Sequence, residues 1–95
     1  MIVQTVSFRS NLPEEELMRR AEERAPKFRA IPGLIQKYYV RGQGEGEYKG
    51  IYLWDSMESA MEYRTSELAK SIPAAYEVAE PPVIEVGEVM FPLRG

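Results

Sequence analysis

Apolar residues fall along this chain in two rhythms, and the switches between them mark out the elements. Ile2 to Phe8 is dense in β-branched and aromatic residues and reads as a strand. Ser10, Asn11 and Leu12-Pro13 interrupt it. Asn11 is placed to cap a helix, with Glu14 three residues on to close a capping box and Pro13 tolerated in the first turn. Leu17, Met18, Ala21, Ala25 and Phe28 then share one helical face, while Glu15–Arg19 and Glu16–Arg20 are i,i+4 pairs on the other. Pro26 predicts a kink or tightening before Ile31-Pro32-Gly33 ends the helix. Leu34 to Arg41 is a second strand, Gly42 to Gly46 a hairpin turn, and Glu47 to Trp54 the returning strand. Asp55 or Ser56 caps a second helix to about Lys70, with Met57, Ala60, Met61 and Leu68 on its stripe. Ser71 to Pro82 is irregular. Val83 to Phe91 is the last strand, in which Gly87 predicts a bulge.

The order βαββαβ predicts an α+β, ferredoxin-like sandwich, with four antiparallel strands and both helices on one face. The 95 residues suit a single domain spanning 1–95. The strands are apolar at both parities: Ile35 and Tyr39 alternate with Leu34, Tyr38 and Val40, and Ile51 and Leu53 with Tyr52 and Trp54. A sheet apolar on both faces needs cover on both, so a homodimer packed sheet to sheet is expected.

Composition removes whole classes of chemistry. The chain has no cysteine and no histidine. Disulfides, thiolate nucleophiles, imidazole ligands and Ser-His-Asp triads are therefore absent, and no metal site is expected. A net charge of −3 with no basic stripe argues against nucleic acid. No apolar run is long enough to span a membrane, and Met1-Ile2-Val3-Gln4 does not open a secretory signal, so a cytoplasmic location is expected. Gly42-Gln43-Gly44-Glu45-Gly46 joins two strands instead of opening a helix, and so is a turn and not a dinucleotide fingerprint.

Three blocks carry a family resemblance. They read Ala25-Pro26-Lys27-Phe28, then Ile31 to Tyr39 (Ile-Pro-Gly-Leu-Ile-Gln-Lys-Tyr-Tyr), then Gly50-Ile51-Tyr52-Leu53-Trp54-Asp55-Ser56 with Glu58-Ser59-Ala60. This pattern resembles the dimeric α/β-barrel superfamily, and within it the YdhR-like group of proposed mono-oxygenases. The resemblance implies a dimeric α/β barrel and a range of chemistries, since the superfamily holds cofactor-free oxygenases, haem-degrading enzymes, isomerases and decarboxylases. Haem-degrading relatives hold iron through histidine, which this chain lacks. A cofactor-independent oxygenase asks less of the protein: a pocket that binds a flat phenolic or polycyclic aromatic, steadies its anion and excludes water. A non-catalytic dimer that binds a small ligand, and an isomerase or decarboxylase on the same scaffold, are the alternatives.

For that chemistry the candidate catalytic residues are Lys37 and Trp54, and the candidate substrate-binding residues are Tyr39, Tyr52, Arg64 and Asn11. Lys37 stands mid-strand on the parity of Ile35 and Tyr39, where it could steady an aryloxide or act as a base, or reach solvent or Glu85. Trp54 and Tyr52 share a strand face and could wall an aromatic ligand, or simply pack. Arg64 interrupts the apolar stripe of the second helix and could pair with a substrate anion. Asn11 could offer an amide but is better explained as the cap, and Gln4 is a buried-polar candidate. Tyr48 and Tyr63 are expected at the periphery. No cofactor is expected, and the expected partners are a second copy of the chain and a small aromatic ligand.

Overall fold

The computed structural model describes residues 1–94. Strands β1 (Ile2–Arg9), β2 (Leu34–Arg41), β3 (Glu47–Trp54) and β4 (Val83–Glu88) form one antiparallel sheet in the order β2-β3-β1-β4. Helix α1 (Glu14–Arg29) links β1 to β2, and α2 (Met57–Arg64), α3 (Glu67–Lys70) and α4 (Ile72–Ala75) link β3 to β4. This is the βαββαβ arrangement with central strands β3 and β1. The helices cover one face, where Ile2, Val6, Tyr52 and Trp54 pack against Leu17, Ala21 and Phe28 of α1 and against Ala60, Tyr63, Ile72 and Tyr76.

The opposite face has no helix. Val3, Val40, Ile51 and Leu53 remain half-buried there, and Tyr38 is 53% exposed. The expectation of a sheet apolar on both sides therefore holds for the chain itself.

Several expectations are corrected. Helix α1 begins at Glu14 with Pro13 in the capping position and no side-chain cap. Asn11 is exposed, and the oxygen that shapes this turn is the Ser10 hydroxyl, which accepts from Leu12 N and donates to the Tyr76 carbonyl. The helix continues past Pro26 to Arg29. On its surface Glu16 binds both Arg19 and Arg20, and Arg19 turns to Glu23 instead of Glu15. The second helix does not run to Lys70. It stops at Arg64, and the Ser66 hydroxyl caps a fresh turn by accepting from Ala69 N. Its buried residues are Ala60 and Tyr63, so Met57 and Met61 face outward and Tyr63 belongs to the core. The segment expected to be irregular contains the one-turn α4, which buries Ile72 and sets Tyr76 in the core.

Strand β4 ends at Glu88, and its pairing with β1 passes through Gly87 without a register shift. The irregularity lies in β2. Leu34 pairs with Trp54 and Gln36 with Leu53, leaving Ile35 as the extra residue, 55% exposed. Leu34 and Lys37 consequently both face the helices, and Ile35 does not share the side of Lys37.

The Pro32-Gly33-Leu34 turn explains one motif. Gly33 has φ +85°, and a Cβ there would lie 2.3 Å from Ser59 Oγ and 2.7 Å from Asp55 Oδ1. Its carbonyl accepts from Asp55 N at 2.9 Å. The two sequence blocks, distant in the chain, are halves of one close backbone contact.

Candidate functional site

A cavity of about 260 Å³ opens between the sheet and helix α1. Its sheet side includes Val6, Phe8, Tyr48, Gly50 and Tyr52, with Lys37 and Tyr39 from β2. Leu17 and Met18 of α1, Ile72 and Tyr76 complete the wall. At the rim Arg41 donates twice to the Glu14 carboxylate, which holds that carboxyl below its usual range.

Lys37 reaches this space because it pairs with Tyr52 on the helix-facing side of the sheet, as Tyr39 does with Gly50. Its Nζ lies 3.5 Å from the centroid of the Phe28 ring, 4.4 Å from that of Tyr39 and 4.7 Å from that of Tyr52. Three ring faces therefore surround the nitrogen, and among the described residues no carboxylate pairs with it. Glu85 is on β4, at the other edge of the sheet, and on the opposite face. Burial, and then the Arg24 guanidinium, bring the Lys37 pKa down to about 7. The rings favour the ammonium through their quadrupoles but supply no countercharge.

Gly50 sits opposite Tyr39 on the neighbouring strand. A Cβ there would fall 3.1 Å from Tyr52 Cε1 and 3.5 Å from Lys37 Cε. The bare backbone admits both side chains and keeps the cavity floor open.

Tyr52 lines the cavity with one end and the solid core with the other. Its ring stacks on Trp54 at 6.0 Å and 3°, and its hydroxyl meets the Tyr63 hydroxyl at 3.1 Å. Burial drives the Tyr52 pKa well above the usual phenol value and that of Tyr63 to about 12, so both remain neutral donors at ordinary pH. Burial also raises the Tyr39 phenol. Trp54 is 0% exposed, and its Nε1 donates to Gln4 Oε1 at 2.8 Å. This bond accounts for the buried glutamine.

Of the candidate residues, the fold brings Lys37, Tyr39 and Tyr52 together on one cavity. It does not bring Trp54, Arg64 or Asn11 there. Trp54 lies behind Tyr52 with no free surface. Arg64 is exposed on α2, beside a second cavity of about 210 Å³ shared with Lys70 and Pro82. Asn11 lies on the open loop surface next to the Gly42–Gly46 turn. Among the described residues, no cluster of acidic side chains is placed to share a metal ion.

The sequence reading missed the cage role of Phe28, the open floor at Gly50, and the pair Arg24–Tyr76. Arg24 donates to Ser71 Oγ at 2.9 Å and lies 5.6 Å from the Tyr76 ring centroid and 5.8 Å from that of Phe28. The Arg24 Nε and the Tyr76 hydroxyl are buried without a partner. The four-residue spacing of Ile72 and Tyr76 was the available signal for a turn of helix that buries both.

Residues 3–80 match the family described as "Putative mono-oxygenase ydhR". The chain belongs to the ydhR family. A comparison with curated proteins finds no significant match. Solved structures share the fold at low identity. SnoaB, a cofactor-independent oxygenase from Streptomyces nogalater, superposes with a TM-score of 0.77 at 12% identity, over 99% of this chain and 97% of that one. A "putative antibiotic biosynthesis monooxygenase" from Caulobacter crescentus gives 0.73 at 24% identity, over 95% and 91%. One of the same description from Bordetella bronchiseptica gives 0.76 at 18%, over 95% and 97%. These likenesses establish the ferredoxin-like fold shared by antibiotic-biosynthesis mono-oxygenases. No helix among the described residues is long and apolar enough to cross a membrane.

Proposed function

We propose that this ydhR-family protein is a homodimeric, cofactor-independent mono-oxygenase of a flat phenolic or polycyclic aromatic, bound in the cavity between the sheet and α1. The observation that carries the reading is Lys37: a nitrogen inside an aromatic-walled cavity, ringed by Phe28, Tyr39 and Tyr52, with no carboxylate to occupy it. A phenol entering the cavity gives its proton to the free amine, and the resulting ammonium steadies the aryloxide. The electron-rich anion then reduces dioxygen directly. One oxygen atom becomes a carbonyl on the substrate ring and the other leaves in water, the four electrons coming from the substrate carbon. Tyr39 and Tyr52 supply ring faces, and their raised phenol pKa values keep them from competing as anions. Trp54 serves this site only by fixing Tyr52 from behind.

The dimer buries the helix-free face, where Val3, Val40, Ile51, Leu53 and Tyr38 need cover. The test follows oxygen uptake with anthrone and with naphthohydroquinone. The native protein consumes oxygen with at least one of them, and Lys37→Met lowers the rate about a hundredfold. No uptake with either substrate overturns the oxygenase reading, and sedimentation as a monomer at micromolar concentration overturns the dimer.

A further inference from the structure

We propose that Lys37 is also a covalent site for carbonyl compounds: its amine condenses with an aryl aldehyde or ketone held in the cavity to form an imine. The geometry meets what such a lysine requires. The nitrogen stands in a largely apolar space beside a second cation, Arg24, which shares the Phe28 ring with it. Among the described residues no carboxylate bonds to Lys37, so no ion pair holds it as the ammonium. Gly50 leaves the floor beside Lys37 Cε unfilled. Tyr39 and Tyr52 line the cavity beside it and can pack against the aryl ring. Tyr76 lines the same cavity and is only 3% exposed.

The step balances without an outside oxidant or reductant. The nitrogen adds to the carbonyl carbon, both amine hydrogens leave with the carbonyl oxygen as water, and a C=N bond replaces C=O. This activity is independent of oxygen chemistry and does not rest on the mono-oxygenase reading.

Charged and titratable groups stand around Lys37 on every element packed against it. From α1 they are Arg24 and, at the rim, Glu14. From β2 they are Tyr39 and Arg41, and Glu14 and Arg41 neutralise each other. From β3 they are Tyr48, Lys49 and Tyr52, and from the following helices Tyr63 and Tyr76. None is an anion free to hold the ammonium. Burial and Arg24 both act to free the amine near neutral pH.

The test treats the native protein with benzaldehyde and sodium cyanoborohydride under nitrogen at about pH 7, then maps the benzylated residues by mass spectrometry. Reduction traps the imine as a secondary amine. Lys37 should label about tenfold faster than Lys27, Lys49 or Lys70. Adding 2-naphthol should slow labelling at Lys37 alone. Labelling of Lys37 no faster than the other three lysines overturns the proposal, as does a rate at Lys37 that 2-naphthol leaves unchanged.

Discussion

The helix-facing row of β3 runs Tyr48, Gly50, Tyr52, Trp54, and its two ends have opposite characters. At the Trp54 end each polar tip has found a partner inside the molecule: indole nitrogen with Gln4, Tyr52 hydroxyl with Tyr63 hydroxyl. The rings there close on one another, with Trp54 stacked on Tyr52 and 5.2 Å from the Tyr63 ring. At the Gly50 end the interior opens into a cavity lined by Lys37 and Tyr76, and among the described residues neither the Lys37 nitrogen nor the buried Tyr76 hydroxyl has such a partner. Aromatic content is similar at both ends, so aromatic content does not locate a site. The lack of internal partners does, because a buried polar group normally has one.

The largest break in this contrast comes from the closed end. Trp54→Ala removes a fully buried ring and leaves Gln4 Oε1 without its donor. The expected loss is about 3–5 kcal/mol, read from urea denaturation. For a domain of this size that is a large part of the total stability. If Trp54→Ala proved nearly neutral, the Trp54 end would not be the structural half of the sheet.

Much of this division could be read in the sequence, and the exceptions have specific physical causes. The order of elements followed from the switches between helical and strand periods, and the helix-free apolar face and the buried Gln4 from the period of two. Lys37 keeps the parity of Tyr39, as expected, while the bulge between Leu34 and Gln36 breaks its parity with Ile35. Trp54 and Tyr52 share a face, as expected. Which of them meets the cavity depends on Gly50, whose missing side chain leaves space at one end only. The exposure of Met57 and Met61 traces to the break at Thr65–Ser66, where the Ser66 cap restarts the helix and leaves Ala60 and Tyr63 as the buried pair of α2. Asn11 had the right residue type for a cap, but Ser10 took the hydrogen bonds. A cap of that kind is a competition between neighbours that spacing does not decide.

The two ends respond to pH in different ranges and with opposite signs. Lys37 has a folded pKa of about 7, below the value near 10.4 of an unfolded lysine. Between those values the unfolded chain binds more protons, so stability rises with pH over that window. Below about pH 7 both states are protonated, and the folded state carries the full cost of the buried charge. Above about pH 10 the sign reverses, because Tyr52 and Tyr63 are held neutral in the fold while unfolded tyrosines ionise. Stability by urea denaturation should therefore climb by about 2 kcal/mol from pH 7 to 9.5 and then fall. Lys37→Met should flatten the climb and leave the fall. A native profile flat from pH 7 to 9.5 would place the Lys37 amine in contact with water.

The smallest effect tests the boundary itself, at Tyr52. Its hydroxyl has Tyr63 as partner, yet its ring also lines the cavity. If the hydroxyl belongs to the closed end, Tyr63→Phe strands it, and the cost is that of one buried hydrogen bond, about 1 kcal/mol. Adding Tyr52→Phe to that variant should then cost nothing more, because the second change removes the stranded group. The double-mutant cycle should return a coupling of similar size. Additive single costs with no coupling would mean that the Tyr52 hydroxyl is satisfied from the cavity side, which would move the boundary between closed core and open site one residue toward Trp54.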